Sequence, residues 1–148
     1  MIALVIFSAL AFAQAPVNQT TPDGYHNGRF WNSLDLSFRT FYLVGYFDGF
    51  DKALLELLSQ DTQRKILAIE SVNVPNVQQG QIIAALNRFY GDPENLNIPL
   101  WRAIRIAGLR FAARSEREVA AEVATARAVV REEWDQCEKK KLGCEHLR

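Results

Sequence analysis

The sequence predicts an all-α protein, a compact orthogonal or up-down bundle of four to five helices around a central aromatic-rich helix. Apolar residues recur at three- and four-residue spacing in several segments, which is the periodicity of amphipathic helices. Capping patterns precede these segments, and proline or glycine separates them. Residues 30–50, FWNSLDLSFRTFYLVGYFDGF, carry apolar side chains around most of a helical circumference. Such a helix needs several partner helices to bury it.

The N-terminal residues resemble a signal peptide. Residues 2–13 form an almost unbroken apolar run followed by small residues, and this run is shorter than the roughly 20 residues that span a bilayer. Cleavage fits after Ala13 or after Ala15, and the first is favoured because Pro16 follows the second. The alternative is a buried or membrane-touching N-terminal helix. With 1–13 as the signal peptide, 14–29 is expected to be an irregular polar arm and 30–148 a single helical domain.

The central helix is expected to begin near Asn32 or Ser33 and to continue beyond residue 50. Gly45 and Gly49, four residues apart, would let another helix approach closely. Burial on several sides would make Phe41→Ala cost about 3–5 kcal/mol. The core and motif positions predicted for this segment are Trp31, Phe38, Phe41, Tyr42, Gly45, Phe47 and Gly49.

Asp48 and Asp51 form an acidic pair on the polar stripe of this helix. A spacing of three residues places both carboxylates on one face, where they could hold a divalent cation or act as general acid and base. The favoured interpretation is a solvated or ion-paired stripe, which also makes the pair a candidate interface.

Three further helices follow. A short second helix is expected over residues 61–71, and Asn76 with Gln79 resembles a capping box that opens a third helix ending at Gly91. Asp92 and the proline after it begin a tight turn, whose acidic and amide side chains favour turn formation over cation binding. A fourth helix is expected from Pro99 to about residue 113. The predicted core positions in this region are Phe89, Tyr90, Pro99 and Trp101.

The last helix is expected over residues 116–141, opened by a capping box of Ser115 and Glu118. Its apolar seam reaches Trp134, which lies beyond the end of the fourth helix and would either pack within the chain or contact a partner or a second copy. Cys137 and Cys144, the only cysteines, would form a disulfide in an oxidising compartment. Free thiols, or a zinc site completed by His146, are the alternatives.

The composition disfavours several function classes. Seventeen basic and seventeen acidic residues cancel, so the chain lacks the positive field that attracts nucleic acid. Beyond residue 13, no apolar run is long enough to cross a membrane. No phosphate-binding glycine loop, paired-histidine zinc motif or glycine-flanked serine is present. No cofactor and no catalytic activity are therefore predicted.

Two motif segments carry a resemblance. The pairing of NGRFWNSL…FYLVGYFDG with ALNRFYGDPENLNIPLWRAIRI resembles a group of small, uncharacterised, exported bacterial helical proteins with the pattern GxxW…YVxGxxDG…FYxDPxNxxIP. The resemblance covers residues 27 to about 110. More distantly, the chain is similar to periplasmic immunity proteins of type VI secretion, which block cell-wall amidase toxins. The nearer group implies export and a helical fold, without an established activity.

The predicted function is that of an exported, periplasmic or secreted, non-catalytic module that binds another envelope protein, with an immunity-type protein facing a toxin as one form. The first alternative is a structural or assembly protein that self-associates through the last helix around Trp134. The second is a cation-binding protein or hydrolase that uses Asp48 and Asp51.

Overall fold

The computed structural model describes residues 19–57 and 77–140. Within these ranges the chain forms five α-helices and no β-strand, which confirms the all-α fold. The helices are α1 (Gly28–Ser33), α2 (Leu36–Leu57), α3 (Gln79–Phe89), α4 (Leu100–Phe111) and α5 (Glu116–Lys139), with a 3-10 turn at Pro93–Asn95 between α3 and α4. The predicted signal peptide, the predicted helix over 61–71, Cys144 and His146 lie outside the described residues.

The segment predicted as one central helix is divided into α1 and α2. Leu34 has extended backbone angles (φ −81°, ψ 140°) and ends α1. The carboxylate of Asp35 then accepts a hydrogen bond from the backbone N–H of Phe38 at 2.9 Å, which caps a new helix. The aromatic segment therefore enters the fold as two helices with different directions.

The later helices begin close to their predicted starts, but the capping box predicted from Asn76 and Gln79 is wrong, because Gln79 is the first residue of α3 and the box pairs Gln78 with Gln81. The backbone N–H of Gln78 donates to the side chain of Gln81 at 2.9 Å at the start of α3. Ser115 and Glu118 form the predicted capping box at the start of α5, where the Ser115 N–H donates to the Glu118 carboxylate at 2.9 Å. The hydrogen bonds to Ser115 lower the pKa of Glu118. Pro99 is the N-cap of α4 instead of its first residue.

The core is formed mainly by α3, α4 and α5. The principal contacts among the described helices pair α2 with α3, α3 with α4, and α4 with α5. Among the described helices α2 thus packs principally on one neighbour, whereas the sequence predicted several partner helices around it. The buried apolar side chains include Trp31, Leu43, Leu86, Phe89, Tyr90, Ile98, Leu100, Ile104, Ile106, Val119, Val130 and Trp134.

The predicted core positions on α2 are partly wrong. Leu43 is fully buried, whereas Phe38 is 62% exposed and Phe41 is 71% exposed. Gly45 and Gly49 are also exposed, and a Cβ at either glycine would meet no atom within 4 Å. Among the described helices α2 packs mainly on α3, and its apolar residues divide between a covered face and an open one. Tyr42 and Phe47 are half-buried, as is Trp101 on α4.

Candidate binding sites

The two motif segments meet in a buried polar junction around Asn27. Its side-chain oxygen accepts hydrogen bonds from the backbone N–H groups of Arg29 (2.9 Å) and Phe30 (3.3 Å). Its side-chain amide donates to the Thr20 carbonyl at 3.2 Å. Asn27 also forms an isolated β-bridge with Pro99. One fully buried side chain thus caps α1 and fixes the preceding arm.

Tyr90 is the second component of this junction. Its ring packs against Gly28 so closely that a Cβ at Gly28 would lie 2.2 Å from a ring carbon. Its buried hydroxyl donates to the Ile98 carbonyl at 3.0 Å. Burial, and to a smaller degree the nearby Tyr42, raise the pKa of Tyr90 well above its ordinary value. The hydroxyl therefore serves as a neutral structural donor.

Asn87 joins three helices. Its side-chain oxygen accepts from the indole N–H of Trp31 on α1 and from the guanidinium of Arg39 on α2, both at 2.9 Å. The Arg39 guanidinium also lies over the Trp31 ring, 5.3 Å from its centroid. The motif residues on the two segments thus satisfy one another's polar groups, which indicates a structural role for them.

Arg127 on α5 binds the turn between α3 and α4. Its guanidinium contacts the carboxylate of Asp92 at 2.6 Å and also contacts that of Glu94. Its Nε donates to the side chain of Asn95 at 2.9 Å. The carboxylates considered as cation ligands are therefore paired with an arginine, as turn chemistry predicts.

The acidic pair on α2 stays in solvent. Asp48 and Asp51 are both exposed, and within the described ranges no group of three or more His, Cys, Asp or Glu side chains is placed to hold a metal ion. The pair therefore shares a helix face, and the described part of the chain adds no third side chain to complete a cation site there.

Trp134 does not project from the bundle. Its side chain is 8% exposed and belongs to the core, which agrees with the alternative of packing within the chain and not with that of an interface. α5 packs against α4. Cys137 is buried and disulfide-bonded, while its predicted partner lies outside the described residues.

One cleft of about 420 Å³ lies beside the turn, lined in part by Arg29, Arg131 and Trp134. The Trp134 indole N–H is buried and has no hydrogen-bond partner in the described ranges. The cleft walls carry both signs of charge, because Glu94 and Asp135 face the arginines. The lining therefore favours neither anions nor cations.

The exposed side of α2 is the most distinctive surface. We define the aromatic face as Phe38, Phe41, Val44, Gly45 and Gly49, which recur at three- and four-residue spacing and are all exposed. Its two phenyl rings stand next to two glycines that leave open space beside the helix. The rings lie at the N-terminal end of this face and the glycines at its C-terminal end, a shape that suits close contact with another helix.

A shallow aromatic groove continues this surface. The groove has a volume of about 420 Å³. Tyr25 and Trp101 meet edge to face with centroids 6.4 Å apart, and His26 meets Tyr42 in the same way at 6.1 Å. Tyr42, which lines the groove, follows Phe41 directly in α2. The groove is lined by Gly24, Tyr25, His26, Tyr42, Tyr46 and Trp101.

Sequence reasoning placed the rings of α2 in the core and so missed this surface. The signal that could have found it is the small number of long apolar helices that follow, too few to cover α2 on every side. In the part of the chain that the structure describes, no helix is long and apolar enough to cross a bilayer. Comparison of the chain with protein-family models, curated proteins and solved structures finds no match.

Proposed function

We propose that this protein is a non-catalytic protein-binding module exported to the bacterial envelope, and that its partner lays a helix along the aromatic face of α2. The observation that carries the proposal is the exposure of Phe38 and Phe41, at 62% and 71%. Large apolar side chains clustered on a protein surface are costly to hydrate and typically mark an interaction site.

The shape of the face favours a helical partner. Apolar positions three and four residues apart match the spacing with which one helix packs against another. Gly45 and Gly49 have no neighbour within 4 Å of a would-be Cβ, so a partner backbone can approach α2 closely there. A helix in this position would contact both phenyl rings.

The aromatic groove supplies further anchoring positions. Tyrosine and tryptophan contribute strongly to binding because they bury large areas with little loss of side-chain freedom. Tyr25 is 53% exposed, and its edge-to-face contact with Trp101 leaves the ring accessible. A partner side chain that enters the groove would be held beside the docked helix.

Export is supported by the sequence alone, through the apolar run over residues 2–13. N-terminal sequencing of the protein from envelope fractions tests it, with residue 14 or 16 expected as the first residue. If the envelope partner is a toxin, the protein is an immunity-type protein. Uncleaved protein that still begins at Met1 and stays in the cytoplasm would contradict the export part of the proposal.

Binding is tested with two exposed residues of α2. Leu36 is 66% exposed and points about 140° around the helix from Phe41, at 3.6 residues per turn. The tagged chain, Phe41→Asp and the control Leu36→Asp are compared for capture of envelope proteins. The captured partner is then identified, purified and titrated against each variant.

Phe41→Asp is expected to weaken the affinity at least about tenfold, whereas Leu36→Asp should bind like the parent chain. Circular dichroism should show equal helix content in all three. An equal affinity of the parent chain and Phe41→Asp for the purified partner would contradict the proposal.

A further inference from the structure

We infer that the helix docked on the aromatic face is α2 of a second copy of this chain, in antiparallel orientation. This inference rests on the proposed function and names its partner. The face is self-complementary, because the phenyl rings lie toward its N-terminal end and the glycines toward its C-terminal end. A two-fold axis across α2 therefore brings the rings of each copy to the glycines of the other.

In one register of the two antiparallel helices, the phenyl rings of each copy lie opposite the glycines of the other. Placing Phe38 opposite Gly49 of the second copy puts Phe41 within one residue of Gly45 of that copy. The symmetry repeats both contacts, so four rings meet four glycine positions. No described residue lies within 4 Å of a Cβ placed at either glycine, so a phenyl ring can enter the space beside each one without displacing a described side chain.

The same register also pairs opposite charges. It places Lys52 opposite Asp35 of the second copy. Lys52 is well exposed and its contact with Glu56 is a loose one at 3.7 Å, so the ammonium is able to turn toward a partner. The chain carries equal numbers of acidic and basic residues, so two copies do not repel each other through net charge.

The area indicates a reversible dimer of moderate affinity. Each phenylalanine buries on the order of 150–250 Å² when fully enclosed, and four partly covered rings supply a large part of the roughly 1,200 Å² of the smaller specific interfaces. The aromatic grooves flank the contact on both copies and add to it. A dissociation constant in the micromolar range is therefore expected.

The first test fills a glycine notch. Sedimentation velocity of the purified chain from about 1 to 500 μM, a range that brackets micromolar affinity, should show a monomer–dimer equilibrium. Gly49→Leu leaves the single chain intact because its side chain enters open solvent, yet it should weaken dimerisation at least tenfold. Leu36→Asp, which alters an exposed leucine away from the face, should dimerise like the parent chain.

The second test reverses the charges. Lys52→Glu should weaken the dimer, and adding Asp35→Lys should restore it toward the parent affinity. Asp35 also caps α2, so the melting temperature of each variant separates the loss of the cap from the loss of dimerisation.

Two results would overturn the inference. One is a chain that stays monomeric throughout the concentration range. The other is a dimer whose dissociation constant changes with neither Gly49→Leu nor Phe41→Asp. A monomeric chain that binds an identified envelope protein through Phe41 would leave the proposed function standing and would show that the partner is not a second copy.

Discussion

At the scale of single residues, Gly28 shows how closely the two motif segments pack. The ring of Tyr90 occupies the space that any other side chain at this position would need. The glycine is required there for space, since its backbone angles lie in the ordinary helical region of α1. Two short segments that are far apart in sequence thus contact each other at van der Waals distance.

We predict that Gly28→Ala destabilises the fold, because its Cβ would lie 2.2 Å from the Tyr90 ring and one of the two must move. The expected loss is about 1–3 kcal/mol. Gly45→Ala is the matched control, since the added methyl meets no neighbour and should stabilise α2 by up to about 1 kcal/mol. Urea unfolding at low protein concentration measures the free energy of unfolding of both variants. Equal changes in the two variants would contradict the close contact between Gly28 and the Tyr90 ring.

Tyr90 supplies a prediction about pH. Burial raises the pKa of its hydroxyl well above the value of 10.0 that applies in the unfolded chain. The folded state therefore holds this proton more tightly than the unfolded state. The resulting stability is fully present below pH 10 and is lost as the pH rises through the folded-state pKa.

Tyr90→Phe removes the hydrogen bond to the Ile98 carbonyl and should lower the free energy of unfolding by about 1–3 kcal/mol at pH 7. Above pH 10 the difference between the parent chain and the variant should shrink, because only the parent has this tyrosine to ionise. Denaturant unfolding at a series of pH values measures the difference. If the difference in the free energy of unfolding between the parent chain and Tyr90→Phe stayed constant above pH 10, the Tyr90 hydroxyl would not be the buried, neutral donor described above.

At the scale of elements, α2 has two different sides. Leu43 is fully enclosed, whereas Phe41, two residues earlier, is mostly in solvent. A spacing of two residues places side chains about 200° apart on a helix, so the neighbours face opposite directions. The division follows from the main contact of α2, which is with α3 alone among the described helices.

We predict that Leu43→Ala costs about 2–5 kcal/mol because it leaves a cavity between α2 and the core. Phe41→Ala should change the free energy of unfolding by no more than about 0.5 kcal/mol, in place of the larger loss that the sequence pattern suggested. Chemical denaturation of the monomer measures both variants. Comparable losses would show that the aromatic face is covered within a single chain.

The sequence predicted the boundaries of elements better than their faces. The Ser115 and Glu118 capping box marks the start of α5 because capping depends on residues close together in the chain. The face of α2 that would be buried was not predictable in the same way. Apolar side chains occur all around this helix, so periodicity could not select the side that meets α3. The break before Asp35 was missed because the helical pattern runs through it.

The candidate site was predictable only in its components. The sequence pointed to the aromatic residues and the glycine pair of α2, and it assigned all of them to packing. Their exposure depends on how many helices reach α2, which is a property of the complete fold. For Trp134 the sequence left packing within the chain and an interface as alternatives, and the structure places its side chain in the core.

At the scale of the whole molecule, the junction of the two motif segments connects the N-terminal helices to the core. Asn87 accepts hydrogen bonds from Trp31 on α1 and Arg39 on α2, while the Leu100 N–H at the start of α4 donates to the His26 carbonyl at 2.7 Å. These contacts join residues distant in sequence. A defect in the junction should therefore loosen several helices together.

We predict that Asn87→Ala destabilises the molecule by about 1–3 kcal/mol, because it leaves the indole N–H of the fully buried Trp31 without an acceptor. Asn87→Asp is the matched control, since it keeps the acceptor oxygen and adds a favourable charge beside Arg39. Hydrogen exchange should show reduced protection of α1, α2 and α3 together in the alanine variant and parent-like protection in the aspartate variant. Loss confined to α3 would mean that the helices open independently and that the junction does not couple them.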